Sequence, residues 1–200
     1  MATTGHAASA AIGVAIAIGA WTYSAPPLRW SAHGLGELAT AVGVGILVPL
    51  CAATAQGVSL DLAAIVAVLP TGAAAFVMML AVEFPDVEVD AESGKRNLVV
   101  RLGRVHAASL ALFVIGLAYV AVAAILLTGG PKAIAWLELL TLPAAVALAR
   151  GFRKASAVIP RATADTTTAG ASVAGRSVAF FLLAGFLELL GFLVPLLRRF

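Results

Sequence analysis

Three uncharged apolar runs, at 38–60, 62–82 and 107–131, limit what this chain can fold into. Each reaches or exceeds the roughly 20 residues that an α-helix needs to cross a bilayer. Backbone groups in hydrocarbon must satisfy their hydrogen bonds internally, so runs of this length are expected to fold as helices. The run at 177–197 is interrupted only by Glu188, and that at 133–149 only by Glu138. A further apolar segment, 7–25, is closed by Pro26-Pro27, where the second proline forces the residue before it out of the helix. Six spans are expected, at about 7–25, 38–57, 62–84, 106–128, 133–150 and 177–197, as one all-α polytopic transmembrane bundle over residues 1–200.

Composition supports the same class. Hydrophobic residues make up 62% of the chain and charged residues 12%, far outside the soluble range. Nothing before Arg29 is positively charged, so the first segment lacks the basic region of a signal peptide. Cys51 is the only cysteine, which excludes an intramolecular disulfide. The net charge of +3 calls for no nucleic-acid partner, because the basic residues collect in the interhelical loops. Loops 23–36, 83–106 and 150–176 hold ten Lys/Arg, against three in 57–61, 129–132 and the C-terminal end. The positive-inside rule puts the first set in the cytoplasm and both termini outside, which implies a multi-pass protein of the cell inner (plasma) membrane.

Charge is otherwise concentrated in one place. Between two long spans lies Glu83-Phe-Pro-Asp-Val-Glu-Val-Asp-Ala-Glu-Ser-Gly-Lys-Arg-Asn-Leu-Val-Val-Arg-Leu-Gly103. Asp86 and Asp90 are four apart, so on a helical turn their carboxylates share a face. Hard oxygens in that arrangement suit Mg²⁺, which takes a few carboxylates together with the oxygens of a bound phosphate. Lys95 and Arg96 follow where they can hold the anionic remainder of the ligand. A solvated, charged loop is the plain alternative for the acids, and cytoplasmic topology anchors for Arg101 and Arg104. Glu88 falls off the shared face and reads as a supporting residue. Glu83 reads either as a member of the site or as a headgroup-boundary acid. Glu138 and Glu188, deep in spans, read as helix–helix hydrogen-bonding groups. Gly43, Gly45, Gly185 and Gly191 read as close-packing positions. The Thr/Ala-rich tract in 151–176 reads as a flexible connector. The histidines show no ligand spacing, and no Ser-His-Asp set, P-loop or Cys-based metal site is present.

Two blocks carry a family resemblance. Asp86 and Asp90, followed by Gly94-Lys95-Arg96-Asn97-Leu98-Val99-Val100-Arg101-Leu102-Gly103, resemble the second aspartate motif of the UbiA-type membrane prenyltransferases. Upstream, Tyr23-Ser24-Ala25-Pro26-Pro27-Leu28 with Gly34-Leu35-Gly36-Glu37 resembles the loop before the family's fifth helix. Val82 stands where the family often has Asn, and Asn97 where it usually has Thr. The likeness is nearest the quinone branch that prenylates dihydroxynaphthoate. It implies Mg²⁺-dependent transfer of a prenyl group from an allylic prenyl diphosphate to an aromatic acceptor, dihydroxynaphthoate-like or hydroxybenzoate-like, within the bilayer. Asp86 and Asp90 would be the catalytic, metal-ligating pair, and Lys95, Arg96, Arg101 and Tyr23 would bind substrate. The resemblance further implies correspondence to the C-terminal two-thirds of a nine-helix fold. The family's first aspartate motif has no counterpart, since Asp61, Asp86, Asp90 and Asp165 are the only aspartates. The alternative it leaves open is an inactive or split-enzyme fragment that needs a separate N-terminal partner.

Overall fold

The computed structural model describes residues 2–157 and 164–197, and among them there are helices and turns but no strands. The order is α1 (Ala2–Ser24), α2 (Gly36–Val42), a π-helical segment (Gly43–Leu47), α3 (Val48–Ala55), α4 (Leu62–Ala67), α5 (Leu69–Val82) and α6 (Val87–Glu92), then α7 (Leu98–Leu127), α8 (Lys132–Glu138), a 3₁₀ turn (Leu139–Thr141), α9 (Leu142–Ala157) and α10 (Ala164–Leu197). Among the described residues, six helical stretches are long and apolar enough to cross a membrane: His6–Ser24, Gly36–Ala55, Leu62–Val82, Leu98–Leu127, Lys132–Ala157 and Thr168–Leu193. This matches the six expected spans in number and order.

The spans are not smooth rods, and the sequence explains each irregularity. Pro70 lies in the second position of α5 and cannot donate a backbone hydrogen bond, so the third span breaks at Val68 into α4 and α5. Gly103, with φ 73° and ψ 159°, breaks α7 after its first turn. The expected start of this span at 106 falls just past that break, and residues 98–102 form a separate turn before it. Gly45 sits in the π-helical segment, where its missing side chain lets α5 approach: a Cβ there would lie 2.5 Å from Gly72 Cα. Gly191 serves the same purpose between α10 and α8, against Ile134. Gly43 and Gly185, read as packing positions too, would meet nothing within 4 Å. Their spacing from the true contact glycines turns them to other faces of the helix.

The expected connector over 151–176 is corrected. α9 runs to Ala157 and α10 begins at Ala164, so most of the Thr/Ala tract is helix; residues 158–163 lie outside the described set. Small residues are what this helix start needs. Gly170 passes close to Pro85, where a Cβ would come 3.1 Å from its backbone, and Val173 is buried in the core.

Helix α5 is the central element, packed by α2, α7 and α10, and its Leu80 and Ala81 are fully buried. At the end of α5, Phe84 plugs the core and meets Phe152 of α9 edge to face, with ring centroids 5.3 Å apart. That plug ties the end of α5 to α9. In the other half of the third span, Thr71 donates to the buried Glu188, as expected of a helix–helix hydrogen bond. Glu138 is equally buried, and its Oε1 has no hydrogen-bond partner. Tyr119 and Thr141 close the same region through hydroxyls 2.7 Å apart.

Candidate functional site

The charged segment folds as a single helical turn between two anchored ends. Asp86 precedes α6, and its carbonyl accepts from Asp90 N at 2.8 Å, which puts the two residues one turn apart. Gly94, at φ +79°, reverses the chain so that Lys95 comes back over the turn. Asn97 then caps α7, with Oδ1 accepting from Val100 N at 2.9 Å. This is a sound reason for a short polar residue there, since an N-cap oxygen satisfies an otherwise orphan helix N–H.

Asp90 is the hub. Its Oδ2 accepts from Lys95 Nζ at 2.9 Å and from Asn97 Nδ2 at 2.7 Å. Its Oδ1 has no bond among the described residues, and its side chain is 16% exposed. Asp86 is exposed, and its side chain makes no hydrogen bond or ion pair among the described residues. Burial opposes the Lys95 charge, but the Asp90 bond and charge, aided by Glu83 and Tyr23, outweigh it and raise the lysine's pKa. Lys95 therefore stays an ammonium, ready for an anion.

Three of the expected substrate-binding residues line one pocket of ≈ 480 Å³: Lys95, Arg96 and Arg101, with Ala91, Gly94 and Val100. Arg101 also donates to His33 O at 3.2 Å. Tyr23 lies elsewhere, in an apolar groove of ≈ 840 Å³ between α1 and α2–α3 that includes Trp30, Leu35 and Val48. Arg104, by contrast, is committed to structure. Its two terminal nitrogens grip Glu88 at 2.5 and 2.8 Å and one reaches Phe84 O at 3.2 Å. The Arg104 hydrogen bond holds the Glu88 carboxyl below its usual range, in keeping with a supporting role.

Two acids come together that no local pattern joins. Glu37 is 0% exposed in the first turn of α2, and its Oε1 accepts from Leu98 N at 2.6 Å. Beside it stands Glu83, buried rather than at a headgroup boundary. Burial above all, then hydrogen bonding to Glu37 and its charge, pushes the Glu83 carboxyl from 4.5 up to about 9. Glu37 escaped notice as a functional residue because its partners are distant in sequence; its one signal was an acid at the first turn of an apolar span. Among the described residues no three His, Cys, Asp or Glu side chains converge in a way that would hold a metal by themselves.

Glu83 makes stability depend on pH. Between pH 4.5 and about 9 the folded chain keeps a proton that the unfolded chain has lost. The unfolded state then binds fewer protons, so stability falls as pH rises. The contribution is complete below 4.5 and is lost as pH passes about 9. Thermal melts in metal-free detergent should therefore drop in midpoint from pH 5 to 9, and Glu83→Gln should flatten that slope. Parallel slopes for the two proteins would contradict this assignment.

Similarity to known proteins agrees with the geometry. The UbiA prenyltransferase family matches residues 1–167. A 1,4-dihydroxy-2-naphthoate octaprenyltransferase from Mycobacterium leprae is 30% identical over 99 residues, covering 50% of this chain and 34% of its own. A 2-carboxy-1,4-naphthoquinone phytyltransferase from Synechocystis is 33% identical over 143 residues, covering 70% of this chain and 45% of its own. The chain thus spans less than half the length of either relative. No solved structure matches it. A six-span helical bundle with a carboxylate–lysine loop at one end, matched by the family over most of its length, is a member of the UbiA prenyltransferase family.

Proposed function

We propose that the chain carries out Mg²⁺-dependent transfer of a prenyl group from an allylic prenyl diphosphate to a hydroxylated aromatic acceptor in quinone biosynthesis. The observation that carries this reading is the Asp86–Asp90–Lys95 loop beside a pocket lined by three cations, in a membrane bundle of this family. Both relatives act on naphthalene-derived acceptors by name, which favours a dihydroxynaphthoate-like acceptor over a hydroxybenzoate-like one.

The residues present suit Mg²⁺. Asp86 offers an exposed carboxylate and Asp90 an uncommitted Oδ1, both hard oxygens one helical turn apart. With no third carboxylate converging among the described residues, the remaining positions fall to water and phosphate oxygens, as Mg²⁺ prefers. When bound there, the ion supplies positive charge against the diphosphate as it departs. The chain's own groups do the rest. Lys95 and Arg96 hold phosphate oxygens from the pocket, which Arg101 also lines. The apolar groove that starts at Tyr23 suits an isoprenoid tail, which gains by leaving water. In the reaction the allylic C–O bond breaks with its electron pair leaving on diphosphate. The acceptor's ring carbon forms the new C–C bond and releases the group it carried.

Incubating the purified chain with a prenyl diphosphate, Mg²⁺ and a dihydroxynaphthoate, then weighing products by mass spectrometry, tests the reading. Prenylated product is expected, and chelator should remove it. Product formed equally in chelator would contradict it. The same proposal orients loops 23–36 and 83–106 to the cytoplasm. In a Cys51→Ser background, Ser93→Cys should be shielded from an impermeant thiol reagent in intact cells and Gly129→Cys labelled. The reverse pattern would overturn the orientation.

A further inference from the structure

We infer that Glu37 is a positioning residue for the diphosphate-binding loop: its carboxylate pins the first turn of α7 and so fixes where Asn97, Asp90 and Lys95 stand. The inference deepens the function proposed above and rests on it. A carboxylate with 0% exposure is costly unless its oxygens are bonded. Glu37 Oε1 meets this need at Leu98 N, 2.6 Å away and 61 residues along the chain. Leu98 opens the helical turn that Gly103 separates from the rest of α7, so its N–H has no partner within the helix. A charge-assisted bond to that N–H is short and strong.

What hangs from Leu98 is the site. The preceding residue, Asn97, is fully buried and bonds Asp90 Oδ2, and Lys95 shares the same oxygen. If Leu98 moves, Asn97 moves with it, and the lysine–aspartate geometry follows. The segment before Glu37 is shaped to the same loop. Arg96 N donates to Ala32 O at 3.0 Å, and Arg101 to His33 O at 3.2 Å. Gly34 adopts φ +73°, and a Cβ on it would lie 2.9 Å from Arg96 O and 3.0 Å from the Arg101 side chain. Glu83 packs beside Glu37 and hydrogen-bonds with it. Glu37 is therefore a poor place to lose a side chain, yet it stands outside the pocket that Lys95, Arg96 and Arg101 line.

The test uses the full chain in nanodiscs, titrated with magnesium pyrophosphate by calorimetry, with a melting temperature and the acylation rate of Lys95 from peptide mapping for each variant. Glu37→Ala should weaken binding about tenfold, the scale of a lost charge-assisted hydrogen bond, and should speed Lys95 acylation. Glu37→Gln should stay within about threefold of the parent, because its amide oxygen still accepts from Leu98 N. A purely structural role would lower the melting temperature but leave both the affinity of the folded protein and Lys95 reactivity unchanged. That result for Glu37→Ala overturns the inference. Should Glu37→Ala fail to accumulate, Glu37→Asp, whose carboxylate is one methylene shorter and falls short of Leu98 N, is held to the same two readouts. Failure of the parent chain to bind magnesium pyrophosphate counts against the diphosphate reading itself. Lys95 reactivity still decides the positioning role in that event.

Discussion

Replacing Asp90 with alanine should reduce prenyl transfer by at least about a hundredfold, and Asp86→Ala should do the same, whereas Glu92→Ala should change little. Ionising an allylic diphosphate places full negative charge on the leaving group, and charge stabilisation lost there is worth several kcal/mol. Each 1.36 kcal/mol is about tenfold in rate, so two such steps already reach the stated loss. Asp90 carries an additional burden, because it organises Lys95 and Asn97 through one oxygen. Asp90→Asn should therefore lose less than Asp90→Ala, since an amide oxygen still accepts from both neighbours. Glu92 is exposed, and its side chain bonds nothing among the described residues. The check is the rate of product formation at saturating substrate, with the melting temperature of each variant alongside. A Glu92→Ala loss as deep as that of Asp90→Ala would mean that general loop charge, not these two carboxylates, does the work.

The second large effect concerns the membrane bundle. Gly191→Ala should destabilise the fold by roughly 1–3 kcal/mol, the usual range for forcing extra volume into a packed contact. A Cβ at 191 would lie 2.5 Å from Ile134 Cγ1, 2.8 Å from its Cα and 2.9 Å from its backbone nitrogen. Two of those atoms are main chain and cannot swing aside, so α8 must move off α10. Gly185→Ala, on the same helix with nothing within 4 Å, should stay within about 0.5 kcal/mol. Gly45→Ala and Gly43→Ala form a matching pair at the contact of the π-helical segment with α5. Thermal unfolding in one detergent compares all four, and equal effects within either pair would contradict the packing described here.

These glycine pairs also show what the sequence could and could not reveal. Small residues in a span announce that helices pack closely, but only the rotation of the helix decides which glycine meets a neighbour. The spans themselves were legible because an uncharged run of bilayer length leaves the backbone little choice but helix. The local geometry of the charged segment was legible too: Asp90 and Lys95 fall within one turn and its reversal, so their spacing alone brings them together. Glu37 was hidden because its bond to Leu98 crosses from one span to another. Residues 164–176 were misread for a related reason. Their Thr/Ala composition resembles a linker, whereas the backbone continues as helix and Gly170 passes against Pro85.

The most direct measurement is the binding of a non-ionising prenyl thiodiphosphate to the purified chain, with and without Mg²⁺. It separates ligand capture from turnover, and it asks the charged loop to show its chemistry. Saturable binding is expected with Mg²⁺, and it should fall sharply in chelator and in Asp90→Ala. Equal affinity in chelator, or undiminished affinity in Asp90→Ala, would contradict the assignment of the Asp86–Asp90–Lys95 loop as a metal–diphosphate site.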